Sequence, residues 1–416
     1  LLLDHLQPRS NCKAVPGFLR KVSEFWHEAD HAKRARLVLG LAAAGLVVLL
    51  LAIPKPGPAV DPAKIGQWWG GVAALGLVLL LTFSASWWSR SSTSEQQKQT
   101  SAPTPRWFWP LVAVAMLGTA AMGSMRLNHD LWDDEEYTLR RFVQGGYRAV
   151  KSADDGSVEF HEFGMGRTFH DYRKPNNHIL HSILARLSVT IWKPFRDEMS
   201  APFSEAALRI PAFLFGIASI ATIALLLKEL GLARAGVWAS FILAIHPWHI
   251  RYASEARGYS MVLCLFPLLL IFWLRAIRDG RWRWWAATAA TAFALLYTYP
   301  ATLYPVAFLN FAGLFLILGR RARPDRSISL ARWFATSTAA AVVFVLLFSP
   351  CIPQLLEYLG RQESHGGMGL WWLREFGSQL FSGMAWFKSK NLDAVQPELF
   401  SVAVRNPVLF RLVLLG

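Results

Sequence analysis

The sequence predicts an all-α, multi-pass integral membrane protein, on three observations. Apolar residues make up 53% of the 416 residues and charged residues only 17%, against about 25% charge in an ordinary soluble domain. Apolar runs of about 17–25 residues, the length that crosses a bilayer, recur along the chain. Lysine and arginine gather in short loops between those runs, as they do on the cytoplasmic side of membrane proteins. The net charge of +15 is therefore read as loop charge beside a bilayer, and no nucleic-acid partner is expected. Cys12, Cys264 and Cys351 are far apart and show neither a disulfide framework nor metal-ligand spacing.

The elements follow in order. Residues 1–36 form a basic segment ending in "RKVSEFWHEADHAKRAR", which predicts a cytoplasmic start. Two spans near 37–54 and 68–88, with a linker, make a unit over 37–106. Seven further spans near 107–127, 207–227, 235–251, 259–276, 284–299, 301–319 and 333–352 form a module over 107–352. Residues 353–405 are expected as an external loop, and 406–416 as the start of one more span. Both chain ends read as truncated, and no cleavable signal peptide is visible.

Orientation comes from the basic loops. "LRAIRDGRWR" (274–283) and "GRRARPDRSISLAR" (319–332) are expected inside. Parity then puts 128–206, "HPWHIRYASEARGYS" (246–260) and 353–404 outside. The apolar stretch 178–192 threatens that count. Its Ile179, Leu180, Ile183, Leu184 and Leu187 recur at helical spacing, while His178, His181, Ser182 and Arg186 lie largely elsewhere. That is the pattern of an amphipathic helix lying in the membrane interface, so 128–206 is expected to be one long external loop.

Three external stretches carry residues capable of chemistry. "LWDDEEYTLRRF" (131–142) sets Asp133, Asp134, Glu135 and Glu136 in a row. Acids suit the first turn of a helix; they also suit a general base or a metal ligand at the membrane surface. "KPNNHILH" (174–181) offers Asn176 and Asn177 as helix caps, or Asn177 and His178 as ligands for a sugar or phosphate. "HPWHIRYASEARGYS" packs His246, His249, Arg251, Glu255, Arg257 and Tyr259 between two spans. Its arginines can snorkel to the interface or grip a phosphate through paired donors. Arg209, at the outer start of a span, carries the same two readings. Acids and arginines on one face suggest a substrate with an anionic phosphate held in the bilayer.

These stretches resemble the lipid-linked glycosyltransferases of the GT-C superfold, in particular the bacterial relatives of protein O-mannosyltransferases and the aminoarabinose transferases that modify lipid A. "LWDDEEYT" is similar to the family's "lW-x-DE-x-Yt" opening of the first outer loop at Trp132, Asp134, Glu135, Tyr137 and Thr138. "NNHILHSIL" keeps Asn177, His178 and Leu180 of an "NHPPLYYLL"-like helix but lacks its two prolines. "EAALRIPAFLFG" is similar to a span start, and "HPWHIRYASEARGYS" to an "hP-hi-ya-eaRpYal" stretch, with Gly258 where proline is common. The resemblance covers about 107–352 and the outer loop that follows.

The resemblance implies a GT-C-like helical bundle with a long first external loop carrying amphipathic interfacial helices, set in the inner membrane with its site on the periplasmic side. It implies a polyprenyl-phosphate-linked sugar donor and a lipid, glycan or protein hydroxyl as acceptor. Inversion at the anomeric carbon is expected. Asp134 is then the expected base, with Glu135 as electrostatic partner or metal ligand, and Arg257 and Tyr259 face the donor phosphate. The extra acid leaves the register between Asp133 and Asp134 open by one. A divalent cation, Mg or Mn, also stays open as a cofactor. Two competing readings are a lipid-linked sugar flippase and a catalytically inactive relative of the fold. Mostly clean spans speak against the first, and the Asp134–Glu135 pair against the second.

Overall fold

A computed structural model describes residues 29–53, 61–90, 104–149, 157–196, 202–319 and 326–361. The helices are α1 (His31–Ala52), α2 (Pro62–Phe83), α3 (Ala85–Trp88) and α4 (Phe108–Ser124), then, within the stretch 128–206, the helices α5 (Asp133–Thr138), α6 (Met165–His170) and α7 (Ile179–Trp192). They continue as α8 (Glu205–Glu229), α9 (Ala233–Ile245), α10 (Pro247–Ala253), α11 (Tyr259–Asp279), α12 (Trp282–Thr298), α13 (Leu303–Gly319), α14 (Arg326–Phe348) and α15 (Ile352–Arg361). Each of the nine expected spans before the chain's last segment coincides with helix. Among the described residues, six helices are long and apolar enough to cross a membrane, and Phe108–Ser124 and Ala233–Ile245 are shorter apolar helices. The chain is an all-α multi-pass membrane protein.

Local chemistry sets the helix ends. Asp30 accepts the Lys33 amide at 2.7 Å and caps α1. Asp61 caps α2, which opens on Pro62, where a missing N–H does no harm. Ser204 caps α8, and Gly280 closes α11 in the left-handed region at φ 66°. α8 lies at the centre, against α4, α7, α9 and α11. Phe108, Val112, Ile220, Ala224 and Val237 close the α4–α8–α9 seam. Met261, Leu269, Leu295 and Leu309 close that of α11, α12 and α13. α2 packs on α1 and α14.

Three expectations change. The run 235–251 is one span in the sequence but two helices in the structure. His246 is extended (φ −69°, ψ 124°) between α9 and α10, because Pro247 disfavours helical geometry in the residue before it. The stretch expected as an external loop carries a β-hairpin as well as helices: β1 (Gly145–Ala149) pairs antiparallel with β2 (Val158–Glu162), Tyr147 opposite Phe160. Finally, α7 turns its small polar residues inward. Ile179, His181, Ser182, Ala185 and Val189 are buried, while Leu187 is 54% exposed. Protein packs on both flanks of this helix: Leu180 and Leu184 reach the α11–α12–α13 core, and Ala185 and Val189 reach that of α8. Most of residues 1–36, the loop beyond Arg361 and all of 406–416 lie outside the described residues.

The loops sort into two ends. At one end Glu229 pairs with Arg275 and Arg278, and Arg332 donates to the Gly280 carbonyl at 2.5 Å. At the other end the three chemistry-bearing stretches meet.

Candidate active site

α5 begins where Trp132 leaves extended backbone (φ −88°, ψ 165°), and its four acids diverge from there. Asp133 and Glu136 are exposed, and Glu136 pairs with Arg140 at 2.8 Å. Glu135 points into the protein and is 1% exposed. Its Oε1 accepts from Arg209 Nε at 2.8 Å and from the Ala256 amide at 2.6 Å. Its Oε2 accepts from Arg209 Nη2 at 2.6 Å and the Trp132 amide at 3.4 Å. Asp134 stands between these extremes, its side chain 38% exposed. Its Oδ1 accepts from Asn176 Nδ2 at 3.2 Å, and its Oδ2 lies 3.9 Å from Arg257 Nη2.

The three arginines are used differently. Arg209 is buried and donates to Glu135 and to the carbonyls of Arg126, Leu127, His129 and Asp130. Arg257 is also buried. Its Nη1 donates to Thr138 Oγ1 at 3.1 Å and the Asn176 carbonyl at 3.3 Å, and its Nη2 donates to Asn176 Oδ1. Arg251 is only partly buried, and its Nε donates to Glu255 at 2.5 Å. Its guanidinium carbon lies 5.4 Å from each of the Trp132 and Trp248 rings, a cation–π contact with both. Among the described residues, its two terminal amino groups have no hydrogen-bond partner. Burial raises the Glu255 carboxyl above its ordinary value; Arg251 opposes that shift and Glu135 adds to it.

His178 accepts the Gly258 amide on Nδ1 at 2.8 Å, and its Nε2 stands 3.4 Å from Arg257 Nη2. Burial pushes this imidazole well below its ordinary range, and Arg257 and His181 push the same way. Gly258 is needed here. A Cβ on it would stand 2.7 Å from His178 Nδ1 and 2.7 Å from Thr298 Cγ2, and proline would remove the donated N–H. Tyr259 lies edge-on to His178 at 4.9 Å and 5.7 Å from Arg257. Tyr252 and Tyr299 extend the aromatic wall, at 4.9 and 6.2 Å from Tyr259.

Not every expected residue joins. His249 is buried against α8, its Nε2 2.8 Å from Ser219 Oγ. His246 is half-buried at the α9–α10 break. Asn177 is buried and holds the Thr168 and Asp171 carbonyls and the Ser182 hydroxyl. Neither asparagine caps α7, whose start carries no side-chain cap. Asn176, Tyr252 and Tyr299 enter the cluster without having been singled out as ligands. The repeated "NN" was the available signal for the first, and sequence gives no way to tell which asparagine faces the acids. Among the described residues, no three His, Cys, Asp or Glu converge as a metal cluster.

A family model described as dolichyl-phosphate-mannose-protein mannosyltransferase matches residues 201–353. The chain carries a GT-C-type glycosyltransferase module. It is thus a membrane glycosyltransferase. No curated protein matches this transferase. The matched stretch contains Arg209, Arg251, Glu255, Arg257 and Tyr259. The acids of α5 and Asn176 precede it in sequence and reach it through Glu135–Arg209, Glu135–Ala256 and Arg257–Asn176.

Proposed function

We propose that the transferase moves a monosaccharide from a polyprenyl-phosphate donor to a hydroxyl of a lipid, glycan or protein acceptor. Transfer takes place on the periplasmic side of the inner membrane, with inversion at the anomeric carbon. One observation carries the assignment. Asp134 is the acid of α5 that is both open to solvent and oriented by two side chains, Asn176 and Arg257. A carboxylate so placed takes the proton of the attacking hydroxyl. The hydroxyl oxygen bonds the anomeric carbon as the bond to phosphate breaks, and polyprenyl phosphate departs with the electron pair. A positioned base contributes about 10²–10⁴-fold.

The leaving phosphate is assigned to Arg251. Its plane is set by two indoles and Glu255, and its open fork suits paired contacts with phosphate oxygens. Fixed charge at a leaving group in a partly dry site acts more strongly than in water. Arg257 orients Asn176 and stands beside Asp134. Glu135 and Arg209, each occupied on every side, hold the loop. The aromatic wall of Tyr252, Tyr259 and Tyr299 offers the sugar apolar faces.

The test is transfer of radiolabelled sugar from a panel of polyprenyl-phosphate donors to membrane extracts, using the full-length chain. Asp134→Asn keeps the shape and is expected to lose about 10²–10⁴-fold in kcat, while Asp133→Asn stays within about threefold. A wild-type rate in Asp134→Asn removes it from the role of base. Every step above is assigned to protein side chains, and an EDTA arm reads dependence on a divalent cation directly.

A further inference from the structure

The helix pair α1–α2 precedes the transferase module, and no step of the proposed reaction uses it. α2 nevertheless meets the far end of that module with its backbone. A Cβ on Gly66 would stand 2.1 Å from the Ser349 carbonyl oxygen and 2.8 Å from Pro353 Cδ. A Cβ on Gly70 would stand 1.9 Å from Ser349 Oγ and 2.3 Å from Ser349 Cβ. Two glycines four residues apart thus let α2 lie directly on residues 349–353, the close approach small residues permit between membrane helices.

The same short segment grips the outer loop. Gln354 is buried; its Oε1 accepts the Tyr172 amide at 2.9 Å and its Nε2 donates to the His170 carbonyl at 2.7 Å. Cys351 Sγ donates to the Phe169 carbonyl at 3.6 Å, and the Tyr172 ring meets Phe348 edge-on at 5.3 Å. The held stretch leads into the site. Asn177 Nδ2 donates to the Asp171 carbonyl at 3.2 Å, and its neighbour Asn176 holds Asp134.

We propose that α1 and α2 form a brace for the active-site loop. By clamping residues 349–354 they fix 169–172, and through it the position of Asn176 and Asp134. Gln354 is a positioning residue in this chain of contacts. The consequence for transfer rests on Asp134 being the base; the brace itself does not.

The experiment uses the full chain in lipid nanodiscs and reads two quantities. One is trypsin cleavage after Arg173, which is exposed beside exposed Lys174. The other is transfer, resolved into kcat and donor KM. Gly70→Ala is expected to speed cleavage and lower kcat by about tenfold each, roughly the equilibrium worth of the loop contacts it disturbs, with KM within about twofold. Adding Ser349→Gly should restore both. It removes the two atoms a Cβ at position 70 would strike, leaving the Val345 carbonyl at 3.2 Å, and among the described residues Ser349 Oγ has no hydrogen-bond partner to lose. Gly66→Ala should resist that rescue, because it meets a main-chain oxygen. Gln354→Ala, which leaves Gly66, Gly70 and Ser349 in place, should loosen the loop to a similar degree.

Wild-type cleavage in both Gly70→Ala and Gln354→Ala overturns the brace. So does equal rescue of Gly66→Ala and Gly70→Ala by Ser349→Gly. If the wild type transfers no sugar, the cleavage arm still decides the brace while the transferase assignment fails on its own.

Discussion

Arg251 and Arg257 are six residues apart in one motif and look equivalent in the sequence; their surroundings separate them. Arg257 is buried with its terminal amino groups on Thr138 and Asn176, whereas among the described residues those of Arg251, which lies against two indoles, have no hydrogen-bond partner. Arg251→Lys keeps the charge but loses the planar fork and much of the stacking. It is expected to raise donor KM about tenfold or more, with kcat lowered less than in Asp134→Asn. Steady-state transfer against donor concentration checks this, and an unchanged KM would move the phosphate elsewhere. Residue types and their order were legible in the sequence here: each expected stretch sends at least one member to the cluster, Asp134 and Glu135 from the acids, Asn176 from the asparagine pair, and Arg257 from the motif that follows. Which of two neighbours turns inward was not. That choice depends on helix phase and on distant partners, as when Ala256 and Arg209 draw Glu135 in and leave Asp134 at the surface.

At the scale of elements, periodicity read the spans well because a long apolar run leaves a helix few alternatives in a bilayer. It read α7 less well. The pattern of Ile179, Leu180, Ile183 and Leu184 gave the helix, but packing on both flanks buried the polar side too. The β-hairpin went unread because strands of five residues, with the turn signal of "DDGS" (154–157) between them, carry little periodicity. The buried side of α7 has a pH signature. His181 is fully buried with no hydrogen-bond partner on either nitrogen among the described residues, and burial, helped by Arg257, pushes it down to about 3. His178 is pushed the same way. The unfolded chain takes up protons on both near their ordinary value of 6.5, whereas the folded protein does not. The stability they contribute is therefore complete above that pH. It declines as pH falls toward the folded values, by up to about 1.4 kcal/mol per histidine per pH unit. Thermal unfolding between pH 7.5 and 5.0 should show that slope, and His181→Leu should remove about half of it. A slope indifferent to this substitution would show that α7 opens before the bundle melts.

At the scale of the molecule, the loop 128–206 and the helical bundle must stay in register if the proposed donor is to meet Asp134. The Glu135–Arg209 pair is a buried ionic tie between them. Arg209 rises from α8, at the centre of the bundle, and the carbonyls of residues 126–130 wrap its guanidinium, while Glu135 fastens α5 and the 254–257 turn to the same point. Both partners are nearly inaccessible, at 4% and 1% exposure of their side chains. Removing one partner strands the other charge away from water, which costs about 3–5 kcal/mol. Arg209→Met is expected to lose that much, plus the donors of four carbonyls. Glu135→Gln keeps the shape and one acceptor oxygen and should lose less. The double variant Glu135→Leu/Arg209→Met removes both charges and should recover part of the stability. It should not recover transfer, because the carbonyl wrap and the Ala256 contact that place α5 are gone. Stability and activity thus part company in the double variant, and a double-mutant cycle with both readouts measures the separation. Recovery of transfer together with stability would mean that the pair serves the fold alone, and that Asp134 is placed by Asn176 and Arg257 without it.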